Sequence, residues 1–115
     1  NDAHGHRVGD DVLCVFARHL RFALRETDLI ARWGGEEFLL MLPDTQPEEA
    51  EAVLGRIRDA LARLPSPSDQ AALHIRFSAG VTALPSYEPL ESALDRADRA
   101  LYRAKDLGRN QSVLI

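Results

Sequence analysis

The sequence predicts a mixed α/β (α+β) fold, and three observations carry that prediction. Segments of helical and strand-like periodicity alternate in the order helix, strand, strand, helix, strand, helix, strand. A Gly-Gly pair separates two short apolar runs, which is a hairpin signal, so part of the sheet is antiparallel. The opening helix has no strand before it, and a βαββαβ unit would be complete with one more strand ahead of Asn1.

Each element follows from its own pattern. From about Gly9 to Arg25 the apolar positions Val12, Leu13, Phe16, Ala17, Leu20 and Leu24 form one helical face. Asp10 and Asp11 are expected at the start of this helix, where acids suit its dipole. Leu29–Trp33 and Phe38–Leu42 are the hairpin strands. "TQPE" opens a second helix, with Thr45 and Glu48 at capping-box spacing and Pro47 in the first turn. Ala50, Val53, Leu54, Ile57, Leu61 and Leu64 line its buried stripe, and it ends before Pro65. "PSPSDQ" is a loop. Leu73, Ile75, Phe77, Ala79 and Val81 alternate with polar residues as a half-buried strand, in which Gly80 marks a bulge or a close backbone approach. A third helix starts near Pro89, carries Leu90, Ala93, Leu94, Ala97, Leu101 and Ala104 inward, and stops at Gly108. "SVLI" is the last strand.

Composition narrows the function classes. With 115 residues, 45% hydrophobic and 28% charged, the chain suits one soluble domain that builds a core without disulfides or structural metal. The single cysteine, Cys14, lies in the apolar run "VLCVF" and is expected to be a small buried side chain, which suits a reducing compartment. The net charge of −4 and the lack of a long basic run argue against nucleic acid as a partner. Apolar runs of about five residues are far too short to span a membrane. The chain begins with Asn1, so it is expected to be a piece of a longer protein.

The stretch "RWGGEEF" holds the chemistry. Glycines let a backbone come close to a phosphate. Carboxylates hold Mg²⁺, which in turn grips phosphates. By spacing alone, Glu36 and Glu37 fit either a metal–nucleotide site or a hairpin turn with two solvated acids.

The ordered set "NDAHGHRVGDD", "RETD", "GGEEF", "FSAGVT" and "ADRALYRAKDLGRN" spans essentially the whole chain. It resembles the GGDEF family of diguanylate cyclases, here as a GGEEF variant over residues 1–115. The resemblance implies a ferredoxin-like, nucleotide-cyclase palm: a central, mostly antiparallel sheet flanked by helices. It implies condensation of two GTP into cyclic dimeric GMP with release of two pyrophosphates, using two Mg²⁺ (or Mn²⁺) per site in a homodimer. By match to the motifs, Glu36 is metal ligand and candidate base on the 3′-hydroxyl, and Glu37 is a second acidic metal ligand or a helper. Gly34 and Gly35 give the nucleotide room. Asn1 and Asp10 read guanine, and His6 lies near the substrate unless it is a structural histidine at the helix entry. Lys105 and Arg109 hold the triphosphate, and their charge equally suits a helix C-terminus.

"RETD" resembles the family's RxxD inhibitory site, with Arg25, Asp28 and the more distant Arg56 binding cyclic dimeric GMP; a local Arg25–Asp28 ion pair is the simpler reading. The family's first strand, with a metal-binding aspartate, is absent from this chain. The fragment alone is therefore expected to have a half-built metal site. A non-catalytic sensor of GTP or cyclic dimeric GMP is the alternative function. The resemblance further implies a bacterial, cytoplasmic domain, in a parent that can be membrane-anchored, with an upstream sensory or receiver domain.

Overall fold

A computed structural model describes residues 3–63 and 75–115, with side chains from Asp11 onward. The elements, in chain order, are α1 (Ala3–Ala23), β1 (Leu29–Gly34), β2 (Glu37–Met41), α2 (Pro47–Ala62), β3 (Ala79–Val81), α3 (Leu90–Asp106) and β4 (Ser112–Leu114). The predicted order of elements is the observed one. Strand pairing among the described residues falls into two ladders, β1–β2 antiparallel and β3–β4 parallel. None of the helices is long and apolar enough to cross a membrane among the described residues.

The chain divides into two compact units, Asn1–Asp44 with Asp59–Ile75, and Thr45–Arg58 with Arg76–Ile115. In the first, α1 carries its apolar face as expected, with Leu20 buried and Phe16 against Phe38 of β2 at a ring distance of 5.3 Å. Two expectations for α1 are corrected. The helix starts at Ala3 rather than near Gly9, so Asp10 and Asp11 fall beyond its first turn, which holds no acid. Cys14 is exposed rather than buried. "VLCVF" is a continuous apolar run, but a 3.6-residue period must turn one of its members outward, and Leu13, Phe16 and Ala17 occupy the inner face.

In the second unit, α2 begins one residue later than the capping box predicted. The reach-back bond runs from the Gln46 N–H to Glu49 Oε1 (2.8 Å), not to Glu48. Leu54 and Ile57 are buried as expected. Arg58 follows them and is largely covered. Its guanidinium lies 4.4 Å from the centre of the Phe77 ring, donates to Ser112 Oγ (2.7 Å) and pairs with Glu51 at 3.8 Å. Burial lowers its pKa and Glu51 opposes that shift, yet a guanidinium stays protonated throughout the useful pH range. Arg58 thus joins α2 to the approach of β3 and to β4 by a cation–π contact and a hydrogen bond.

The described strand β3 is shorter than the alternation predicted. Only Ala79–Val81 pair, against Ser112–Leu114. Leu73 and His74, like the "PSPSDQ" loop and Leu64, lie outside the described residues. Of the two readings of Gly80, a bulge or a close backbone approach, the close approach is present. A Cβ there would overlap the Ala97 carbonyl oxygen and the Leu101 amide nitrogen of α3. The facing side of α3 is correspondingly small: Ala93, Ala100 and Ala104 are buried, the last two completely. Ala100 is an inward position that the expected stripe omitted, whereas Leu90, which the stripe included, is 45% exposed at the first turn.

Arg96 fastens the loop after β3 to α3. It donates to Thr82 Oγ1, to the Ala83 carbonyl and through two nitrogens to both Glu88 oxygens. The pair lowers the Glu88 pKa and raises that of Arg96, chiefly through these hydrogen bonds. The C-terminus of α3 closes as a Schellman turn, with Arg109 N–H on the Ala104 carbonyl (2.9 Å) and Gly108 N–H on that of Lys105 (3.3 Å). Gly108 takes φ +121 there.

Because the neighbours of Gly80 are backbone atoms, side-chain adjustment cannot make room. Gly80→Ala is expected to lower stability by about 3 kcal/mol, read as a shifted urea midpoint; an unchanged midpoint would mean that β3 and α3 are less close than described.

Candidate functional site

The site is built on the β1–β2 hairpin. Short apolar runs make both strands, and the ladder pairs Leu29 with Met41, Ile30 with Leu40, Ala31 with Leu39 and Arg32 with Phe38. The register then shifts, leaving Trp33 as an extra residue before Gly34 pairs with Glu37. Such a bulge sharpens the local twist where the hairpin turns. Gly35 and Glu36 are the two connecting residues.

Gly35 has φ +47, whereas Glu36 is not among the residues of positive φ. A positive φ at the first central position is the demand of a glycine-first hairpin turn. Gly34 needs no such freedom, and a Cβ on either glycine would meet no atom within 4 Å. The space beside both glycines is therefore open among the described residues.

Glu36 and Glu37 are exposed side by side at this turn. They are carboxylates of the kind a hard cation takes, and Mg²⁺ typically uses one or two protein carboxylates with water and substrate phosphates. No group of three or more potential metal ligands occurs among the described residues. Two adjacent carboxylates are a donor set that suits an ion shared with a phosphate ligand.

Arg32, which the sequence reading passed over, reaches the same turn. Its Nε and Nη2 both donate to the Gly35 carbonyl, at 2.9 and 2.7 Å. The signal was present as a strand arginine three residues before the turn glycine.

The "RETD" segment lies between α1 and β1 and forms a closed turn. Asp28 N–H donates to the Arg25 carbonyl (3.0 Å). Asp28 Oδ2 accepts from the Arg25 N–H (2.8 Å) and from its Nε (3.3 Å), and Oδ1 accepts from Nη2 (3.0 Å). Nη2 also donates to the Pro43 carbonyl (2.8 Å), tying the entry of β1 to the exit of β2. The Asp28 side chain is 2% exposed and that of Arg25 is 56% exposed. The local ion pair is thus formed, with the arginine presented outward.

The remaining sequence-predicted residues belong to the second unit or lie outside the described residues. Arg56 is exposed on α2, and Lys105 and Arg109 are exposed at the end of α3; all three belong to the second unit. Arg109 has φ 65 and Asn110 φ 51, and the Asn110 N–H is held by Ser78 Oγ (3.1 Å). Asn1 and the side chains of His6 and Asp10 lie outside the described residues.

The Asp28 carboxyl is held below its ordinary 3.8, first by the side-chain hydrogen bonds from Arg25, with burial opposing. A lowered carboxyl pKa adds stability above the unfolded value, and that stability is lost as pH falls through the folded value. Asp28→Asn is expected to cost about 1 kcal/mol at pH 7 and much less once the pH has fallen through the folded value, which lies below 3.8. Urea unfolding at both pH values checks this; an equal cost at both would deny the charge any part.

Comparison with known proteins agrees with these features. The chain matches the family described as diguanylate cyclase, GGDEF domain, over residues 1–111. It is 47% identical over 111 residues to the diguanylate cyclase DgcP of Pseudomonas aeruginosa, covering 96% of this chain and 16% of that protein. It resembles the crystal structure of the diguanylate cyclase SiaD in complex with its activator SiaC, also from P. aeruginosa, with a TM-score of 0.85 and 44% identity over 96% of this chain and 43% of that one. The active GGEEF domain of a diguanylate cyclase from Vibrio cholerae superimposes with a TM-score of 0.79 and 33% identity, covering 91% of this chain and 67% of that one. The chain spans between 16% and 39% of the length of the curated relatives compared. With the motifs, the order of elements and these likenesses in agreement, the chain belongs to the GGDEF family of diguanylate cyclase domains.

Proposed function

We propose that this chain works as the catalytic domain of a diguanylate cyclase, joining two GTP molecules into cyclic dimeric GMP with release of two pyrophosphates. The observation that carries the reading is the hairpin turn, where two adjacent carboxylates stand beside two glycines whose side-chain space is open. Glu36 and Glu37 would hold Mg²⁺ (or Mn²⁺), and Gly34 and Gly35 leave room for the phosphate or ribose. The metal, when bound, offsets the negative charge that grows on the attacking and leaving oxygens.

Glu36 is also the candidate base that takes the proton of the 3′-hydroxyl. Lys105 and Arg109 are assigned to the triphosphate, Asn1 and Asp10 to the guanine edge, and His6 to the vicinity of the substrate. Each domain holds one GTP, so a homodimer brings hydroxyl and α-phosphate together and replaces a bimolecular encounter. Arg25, Asp28 and Arg56 are assigned to a product-binding inhibitory site. The formed Arg25–Asp28 pair leaves the guanidinium exposed to a phosphate or a guanine face.

The test is GTP turnover with Mg²⁺ in the full-length protein, read by nucleotide chromatography. Glu36→Gln is expected to lower the rate by about 10²-fold or more with the melting temperature unchanged. GTP binding without product in the dimeric wild-type protein would replace the enzyme with a sensor.

A further inference from the structure

We propose that Arg32 is a positioning residue of the catalytic turn. The inference rests on the reading of Glu36 as the catalytic carboxylate and adds a residue to that machinery.

Two guanidinium nitrogens of Arg32 converge on one acceptor, the Gly35 carbonyl, at 2.9 and 2.7 Å. That carbonyl and the Glu36 N–H belong to the same planar peptide unit, and in a trans peptide they point in opposite directions. Gripping the carbonyl therefore fixes the plane, turns the Glu36 N–H to the side away from Arg32 and sets the direction in which the chain enters Glu36.

The turn needs such a fastener. Gly35 is the residue freest to change conformation, and it stands immediately before the acid that must be held in place. A Cβ placed on it would meet no atom within 4 Å among the described residues. The bulge at Trp33 breaks the ladder between Arg32 and Gly34, so the regular pairing ends just where the turn begins. Arg32 bridges this gap from the last regular pair, opposite Phe38. A lysine would supply a single mobile charge there, whereas the planar guanidinium supplies two fixed donors. Arg32 is itself exposed on the strand, so its replacement removes the clamp without opening the core.

The experiment compares Arg32→Ala, Arg32→Lys and Glu36→Gln in the full-length protein, with GTP and Mg²⁺. Arg32→Ala is expected to lower kcat by roughly ten- to a hundredfold while KM for GTP moves by less than about threefold and the melting temperature holds. Added guanidinium ion should restore part of the kcat of Arg32→Ala and none of that of Glu36→Gln, and Arg32→Lys should remain impaired. In the nucleotide-free protein, the Glu36 amide resonance should shift in Arg32→Ala while those of Ile30 and Leu40 stay in place. Full activity of Arg32→Ala, a loss that follows the melting temperature without rescue, or an unmoved Glu36 amide would each overturn the proposal. A fully active Glu36→Gln would overturn the underlying reading of Glu36, and the proposal with it.

Discussion

The antiparallel pairing of Leu29–Arg32 with Phe38–Met41 is the constraint on which the candidate site depends. Strand side chains alternate between two faces, so a slip of one residue would exchange the faces of every residue in the ladder. It would also move the turn off Gly35, the one position of the hairpin that adopts positive φ. The flanking apolar residues thus place the acids by fixing where the chain reverses. Phe38 shares in this: it packs on Phe16 of α1 and pairs with Arg32, whose guanidinium holds the turn. The Arg25 contact to the Pro43 carbonyl closes the other end of the same hairpin.

The second unit is governed by a different constraint, the contact of β3 with α3. The lack of a side chain at Gly80 and the methyl-sized face of Ala93, Ala100 and Ala104 let the two backbones meet. Large side chains would bury more apolar area but hold the strand away from the helix. Arg96 and Glu88 then hold the loop after β3 against α3. The Schellman turn at Gly108 stops the helix so that Lys105 and Arg109 stand on its last turn and just beyond it. Cationic side chains suit the negative end of a helix, and that local benefit is compatible with a role toward phosphates.

Much of this was legible in the sequence because periodicity and turn chemistry are local properties. The helical stripe of α1, the Gly-Gly hairpin, the stop at Gly108 and the close approach at Gly80 each follow from a few neighbouring residues. Other features depend on atoms distant in the chain or on angles that periodicity does not fix. Cys14 looked internal because its neighbours are apolar, yet the helical rotation turns it outward. The cap of α2 moved from Glu48 to Glu49 because similar acids lie side by side, and only the backbone path selects one. Helical periodicity marks neither Arg58 nor Arg96, yet Phe77 and Ser112 in one case, and Thr82 and Glu88 in the other, give them partners distant in the chain. At the site, the composition of the turn was readable, whereas the grip of Arg32 on a backbone carbonyl was not, since carbonyl directions leave no mark on residue type.

The most direct measurement is a crystal structure of the full-length protein with Mg²⁺ and a non-hydrolysable GTP analogue. The expected result is a magnesium ion coordinated by the Glu36 carboxylate at about 2.1 Å, with a phosphate oxygen completing its shell beside Gly34 and Gly35. A bound nucleotide whose phosphates and metal lie away from this turn, with Glu36 left in solvent, would contradict it.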